Sequence, residues 1–143
     1  MNCFDVARYF LAQVDDDAGD SISNLKLQKL VYYAQGYHLA FFGTLLFPEK
    51  IEAWAHGPVI PDLYHALKKF GSGPVSLDGE LNLEKFPKPV CELLDEVYLV
   101  YGQFSAAKLR NITHNEPPWA NTPPGKVISP DLMMEYFKTQ ITT

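Results

Sequence analysis

The sequence predicts a mainly α-helical, single compact domain spanning residues 1–143, with one small β-hairpin. Three observations carry that prediction. Six segments show helical apolar spacing or sit between helix caps. One of them, residues 24–42, is apolar around most of its circumference, as a central buried helix is. Two short apolar runs flank Pro48-Glu49-Lys50, the pattern of a hairpin.

The elements follow in order. Phe4, Ala7, Phe10, Leu11 and Val14 share one face of a first helix. The acid run Asp15-Asp16-Asp17, with Gly19 and Asp20, ends it as a solvated loop, because acids oppose a helix C-terminus. Its spacing lacks the ligand pattern of a calcium loop. Ser23 or Asn24 caps the central helix and Gly43 closes it. Gly36 inside that helix costs propensity, about 1 kcal/mol against alanine, which a close helix crossing would explain. Thr44 to Phe47 and Ile51 to Trp54 are the two predicted strands, and Gly57-Pro58 is read as a turn leading into the next helix. Pro61 to Phe70 is a helix with proline in its first turn. Ser72 to Lys88, rich in glycine, proline and polar residues, is a surface excursion. Pro89 to Tyr101 is a helix closed by Gly102, and Ser105 caps another to about Thr113. After a proline-rich stretch, Ser129 and Pro130 start the last helix.

Composition narrows the function classes. Formal net charge is −5 and no window concentrates Lys and Arg. A nucleic-acid footprint needs a basic stripe to displace counterions, so no nucleic-acid partner is expected. An acidic domain suits a basic protein partner through steering. Cys3 and Cys91 are too few for a disulfide framework and sit in no zinc-binding pattern, so reduced thiols are expected. The N-terminal residues lack the basic start of a signal peptide, and glycines, charges and prolines interrupt every apolar run. A cytoplasmic protein with no membrane contact is the expectation.

Two blocks stand out. The first is Ala53-Trp54-Ala55-His56-Gly57-Pro58-Val59, followed by Tyr64. The second is Thr113-His114-Asn115-Glu116-Pro117-Pro118-Trp119. With Leu27-Gln28-Lys29-Leu30-Val31-Tyr32-Tyr33-Ala34 they form an ordered constellation, and on these residues the chain resembles the Panacea-domain family, the SocA- and GepA-like proteins of bacteria and phages. That resemblance implies a mainly helical domain with a small β element. It implies an antitoxin that pairs with a cognate protein toxin, alarmone-synthetase-like enzymes among them, and blocks it by direct binding. One relative instead delivers its toxin to a cellular protease. The positions carried over are Leu27, Lys29, Leu30, Tyr32, Trp54, His56, Gly57, Pro58, Val59, Tyr64, Thr113, His114, Pro118 and Trp119, as scaffold or partner contacts.

The residues admit other readings. Trp54 and Trp119 could be interface anchors, with core packing favoured. If the Trp54 ring is in the core, Trp54→Ala costs about 3–5 kcal/mol. His56, His114, Glu116 and Asp62 could supply a mixed metal site, but no histidine pair has i, i+4 spacing, and a turn-fixing hydrogen bond is favoured. Cys91 near a helix start could be an activated thiol, with a small buried residue favoured. Tyr32, Tyr33 and Tyr37 could line a partner groove, with core packing favoured again. No catalytic motif, cofactor site or metal site is assigned, and the chain is expected not to be an enzyme.

Overall fold

The apolar segments assemble around one helix, α2 (Asn24–Phe42), against which α7 (Pro130–Lys138) and α4 (Lys88–Tyr101) pack most extensively. The computed structural model describes residues 1–14 and 21–141. The acid run expected to form a loop after the first helix lies at residues 15–20, outside the described residues.

Leu27, Leu30, Val31, Tyr32, Tyr33 and Ala34 are all fully buried, so α2 meets protein on every side along its middle turns. Gly36 marks the tightest approach: a methyl group there would enter the ring of Phe137 on α7. The crossing that this glycine implied is therefore with the last helix. α1 (Cys3–Ala12) begins with a capping box, Asn2 Oδ1 accepting from Asp5 N and Asn2 N donating to Asp5 Oδ2, both at 2.9 Å. Ser23, Ser105 and Ser129 cap α2, α5 (Ala106–His114) and α7, each accepting a backbone N–H three residues on. α3 (Pro61–Leu67) starts on its proline and tightens into a 3₁₀ turn over Lys68–Phe70. α6 (Pro117–Ala120) forms inside the proline-rich stretch, to which no element had been assigned, because Pro117 occupies the first-turn position that needs no N–H.

The hairpin differs from the expected one. Its strands are β1 (Glu52–Trp54) and β2 (Gly57–Val59), with Glu52 opposite Val59, Ala53 opposite Pro58 and Trp54 opposite Gly57. Thr44 to Phe47 is not a strand, and Gly57-Pro58 belongs to β2 rather than to a turn before α3. Pro58 is tolerated because Ala53 spends its backbone groups on the other side, its N–H donating to Lys126 O at 3.0 Å and its carbonyl accepting from Gly125 N at 2.7 Å. Of this run, Leu46 and Phe47 dock on α2 and are buried, while Thr44 and Leu45 face outward.

The excursion after α3 is anchored at both ends. Val75 N donates to Ile22 O at 3.0 Å, and Phe86 is buried in the core. Midway, Arg8 Nε and Nη2 both donate to Asp78 O. Among the described residues no helix is long and apolar enough to cross a membrane.

Candidate functional site

The three sequence blocks meet on one side of α2. That helix carries polar side chains at Asn24, Gln28, Gln35 and His38, which share a face. All four are buried, and each bonds to main chain or to a neighbour that does. Asn24 Nδ2 donates to Tyr64 O at 3.2 Å. Gln28 donates to Asn24 Oδ1 at 2.8 Å and accepts from Ile60 N at 2.9 Å. Gln35 clasps the 44–47 segment, donating to Phe47 O and accepting from Leu46 N, both at 2.7 Å. His38 Nδ1 donates to Thr44 O at 2.7 Å. Buried amides persist only when satisfied, and here they fix the chain between the end of α2 and the middle of α3. Sequence reasoning gave none of these four a positioning role. The available signal was a row of amides recurring at helical steps within an otherwise apolar helix.

Gly57 sits where the hairpin touches α2 and α5. The intervening turn residues, Ala55 and His56, have no positive φ, so the turn departs from the primed types that hairpins favour. Gly57 carries the left-handed backbone instead, at φ +106. A Cβ there would lie 2.7 Å from Lys29 Cε and 2.9 Å from Thr113 Oγ1. Thr113 is fully buried and donates its hydroxyl to Arg110 O at 2.9 Å. Lys29 is 1% exposed and its Nζ has no hydrogen-bond partner. Burial first, and then the Arg110 charge, push its amine down to about 7.

The second block closes the corner. The rings of His114 and Trp119 stack at 3.9 Å, nearly parallel, and Trp119 Nε1 donates to Trp54 O at 2.8 Å. Burial and the Arg110 charge lower the His114 pKa, while the Ala55 carbonyl acts in the opposite direction. The Trp54 ring is half-buried, lies edge-on to Tyr64 and donates Nε1 to Glu52 Oε1 at 2.9 Å. It is therefore not in the core, and its carbonyl, not its ring, receives Trp119. Trp54→Ala is accordingly expected to cost about 1–2 kcal/mol, below the range for a core ring, as a denaturant midpoint would show. Leu27, Leu30, Tyr32, Pro58, Val59 and Pro118 are buried, and Tyr64 is half-buried.

The residues of the mixed metal reading do not converge. His56 and Asp62 are exposed, His114 is stacked on Trp119, and Glu116 points into a cluster of tyrosines. Among the described residues no three His, Cys, Asp or Glu side chains gather as a metal site requires. Glu116 accepts from Tyr33 Oη at 3.1 and 3.2 Å and from Tyr136 Oη at 3.4 Å. Burial raises its carboxyl to about 7, against the opposing pull of those two hydroxyls. Tyr33 stacks on Tyr101, whose hydroxyl pairs with that of Tyr37 at 2.8 Å. The thiols are free: burial pushes Cys3 well above its usual range, and Cys91 is half-buried beside Phe86 O. Neither has the electropositive setting of an activated thiolate.

Fold and geometry together define a mainly α-helical domain in which a hairpin and a helix corner are locked onto a buried central helix. The family model described as "Antitoxin SocA-like, Panacea domain" matches residues 27–120, a span that runs from α2 through α6. The chain belongs to that family. It is 34% identical over 109 residues to Antitoxin SocA of Caulobacter vibrioides (strain NA1000 / CB15N). The aligned stretch covers 68% of this chain and 58% of that protein's length. No solved structure matches the chain.

Proposed function

We propose that this chain is an antitoxin that neutralises a cognate protein toxin by direct contact, without catalysis of its own. On this reading the motif residues hold the scaffold and the exposed surface chooses the toxin. The observation that supports it is the direction in which the motif residues face. Lys29, Thr113 and the Trp119 indole turn inward onto the hairpin, while Phe41, Phe42, Leu45, Leu99 and Val100 stay exposed elsewhere. Exposed apolar side chains of that size are what a partner-binding face supplies.

The test is co-expression with the adjacent reading frame. The expected result is rescue of growth from that frame's toxicity, a stable complex in pull-down, and an unchanged toxin level. Rescue accompanied by protease-dependent loss of the toxin would replace blocking with delivery to a protease. Rescue with neither binding nor loss would point to an enzymatic antidote.

A further inference from the structure

The geometry points to one groove as the toxin contact: the channel between the C-terminal half of α2 and the exposed side of α4, receiving an apolar segment that carries Lys or Arg. This inference rests on the antitoxin reading above. The groove encloses about 240 Å³ and is walled by Phe41, Leu93, Val97 and Val100, with Gln140 and Ile141 just past α7 also lining it. Phe41 is 55% exposed and Val100 39%, and both line the groove beside the buried Leu93 and Val97. Phe42, 45% exposed, extends the apolar strip beside Phe41, their ring centroids 6.4 Å apart. The same wall material lies over the tyrosines of the core, since Tyr37 and Tyr101 form part of the lining.

Charge selects the occupant. Among the described residues Glu96 is the only charged side chain in the lining; it is exposed and makes no ion pair with any of them. Glu92 stands one turn before it on α4, exposed, and its contact with Lys88 is long at 4.0 Å. An apolar channel with an unpaired carboxylate matches a Lys or Arg side chain, whose aliphatic stem lies on apolar surface while its head meets an anion. The formal charge of −5 favours encounter with such a basic segment.

The experiment titrates the purified full chain with the product of the adjacent reading frame, in low and high salt. Phe41→Gln combined with Val100→Gln should weaken binding about 30-fold or more, as loss of a central apolar contact does. Glu96→Lys should weaken it about tenfold in low salt, with the gap narrowing in high salt. Leu83→Gln, at an equally exposed apolar position outside the groove (59% exposed), should bind like the unaltered chain. Melting temperatures of all four proteins identify any variant that fails to fold, and Glu96→Lys, at a surface site, keeps the test decisive. If the unaltered chain binds while both groove variants bind equally well, the groove is wrong and the antitoxin reading stands. If the unaltered chain neither binds nor rescues, both fail together.

Discussion

Gly57→Ala is expected to destabilise the fold by about 3–5 kcal/mol, the sum of a forbidden backbone and a steric overlap. The φ of +106 is one that L side chains rarely adopt. The added methyl would also press on Lys29 Cε and Thr113 Oγ1. Moving either neighbour disturbs the packing of α2 or α5, so relief is not local. Gly43→Ala separates the two contributions. Gly43 is also left-handed, at φ 74 in the C-cap of α2, but has nothing within 4 Å of the added methyl. It should lose only about 1 kcal/mol. Equal losses in the two variants, measured by denaturant unfolding, would show that the corner is not tightly packed around Gly57.

Stability is expected to pass through a minimum near pH 7, created by two buried groups of opposite kind. Glu116 is raised from 4.5 to about 7. Between those values the native carboxyl keeps a proton that the unfolded chain has released. Its contribution is complete below pH 4.5 and is lost as pH rises through 7, about 3 kcal/mol in all. Lys29 is lowered from 10.5 to about 7. Between those values the unfolded amine binds a proton that the native amine does not, so its penalty is full below pH 7 and is relieved as pH rises. From pH 7 to 9 about 3 kcal/mol returns. Above pH 9 the buried Cys3 thiol, still protonated in the fold, opposes further gain. His114, lowered by burial, softens the acid limb just below pH 6.5. Unfolding measured at pH 5, 7 and 9 checks the profile. Glu116→Gln should flatten the acid limb. Lys29→Met should flatten the alkaline limb and raise stability at pH 7 by roughly 2–4 kcal/mol, because an unpaired buried amine gives way to an apolar side chain of similar length. A chain most stable at pH 7 would contradict both assignments.

The helices were legible in the sequence because their signals are local. Ser23, Ser105 and Ser129 cap where capping chemistry places them, and Gly36 announced a close crossing that Phe137 makes. The hairpin was not legible in the same way. The 44–47 run has a strand's composition, but its backbone is claimed by the side chain of Gln35 on the preceding helix. Gly57-Pro58 has a turn's composition, but Ala53 directs its own hydrogen bonds elsewhere and makes room for proline in a strand. The motif blocks were visible as blocks, whereas the burial of Lys29 and Glu116 was not. Residue type alone places a lysine or a glutamate on a solvated face, and only the tertiary packing encloses them.

The row of three buried amides and one imidazole along α2 has a consequence for how this surface can change over generations. Asn24, Gln35 and His38 hold the segments they touch by main-chain groups, at Tyr64, Phe47, Leu46 and Thr44, and Gln28 does so at Ile60. A bond to a carbonyl or an amide hydrogen is blind to the side chain beside it. The outward residues of those segments, such as Thr44, Leu45 and Asp62, can therefore be exchanged one by one while the path of the chain is kept. Drift at these positions alters the outer face without asking the interior to readjust, so new surface chemistry can arise by single substitutions on an inherited frame.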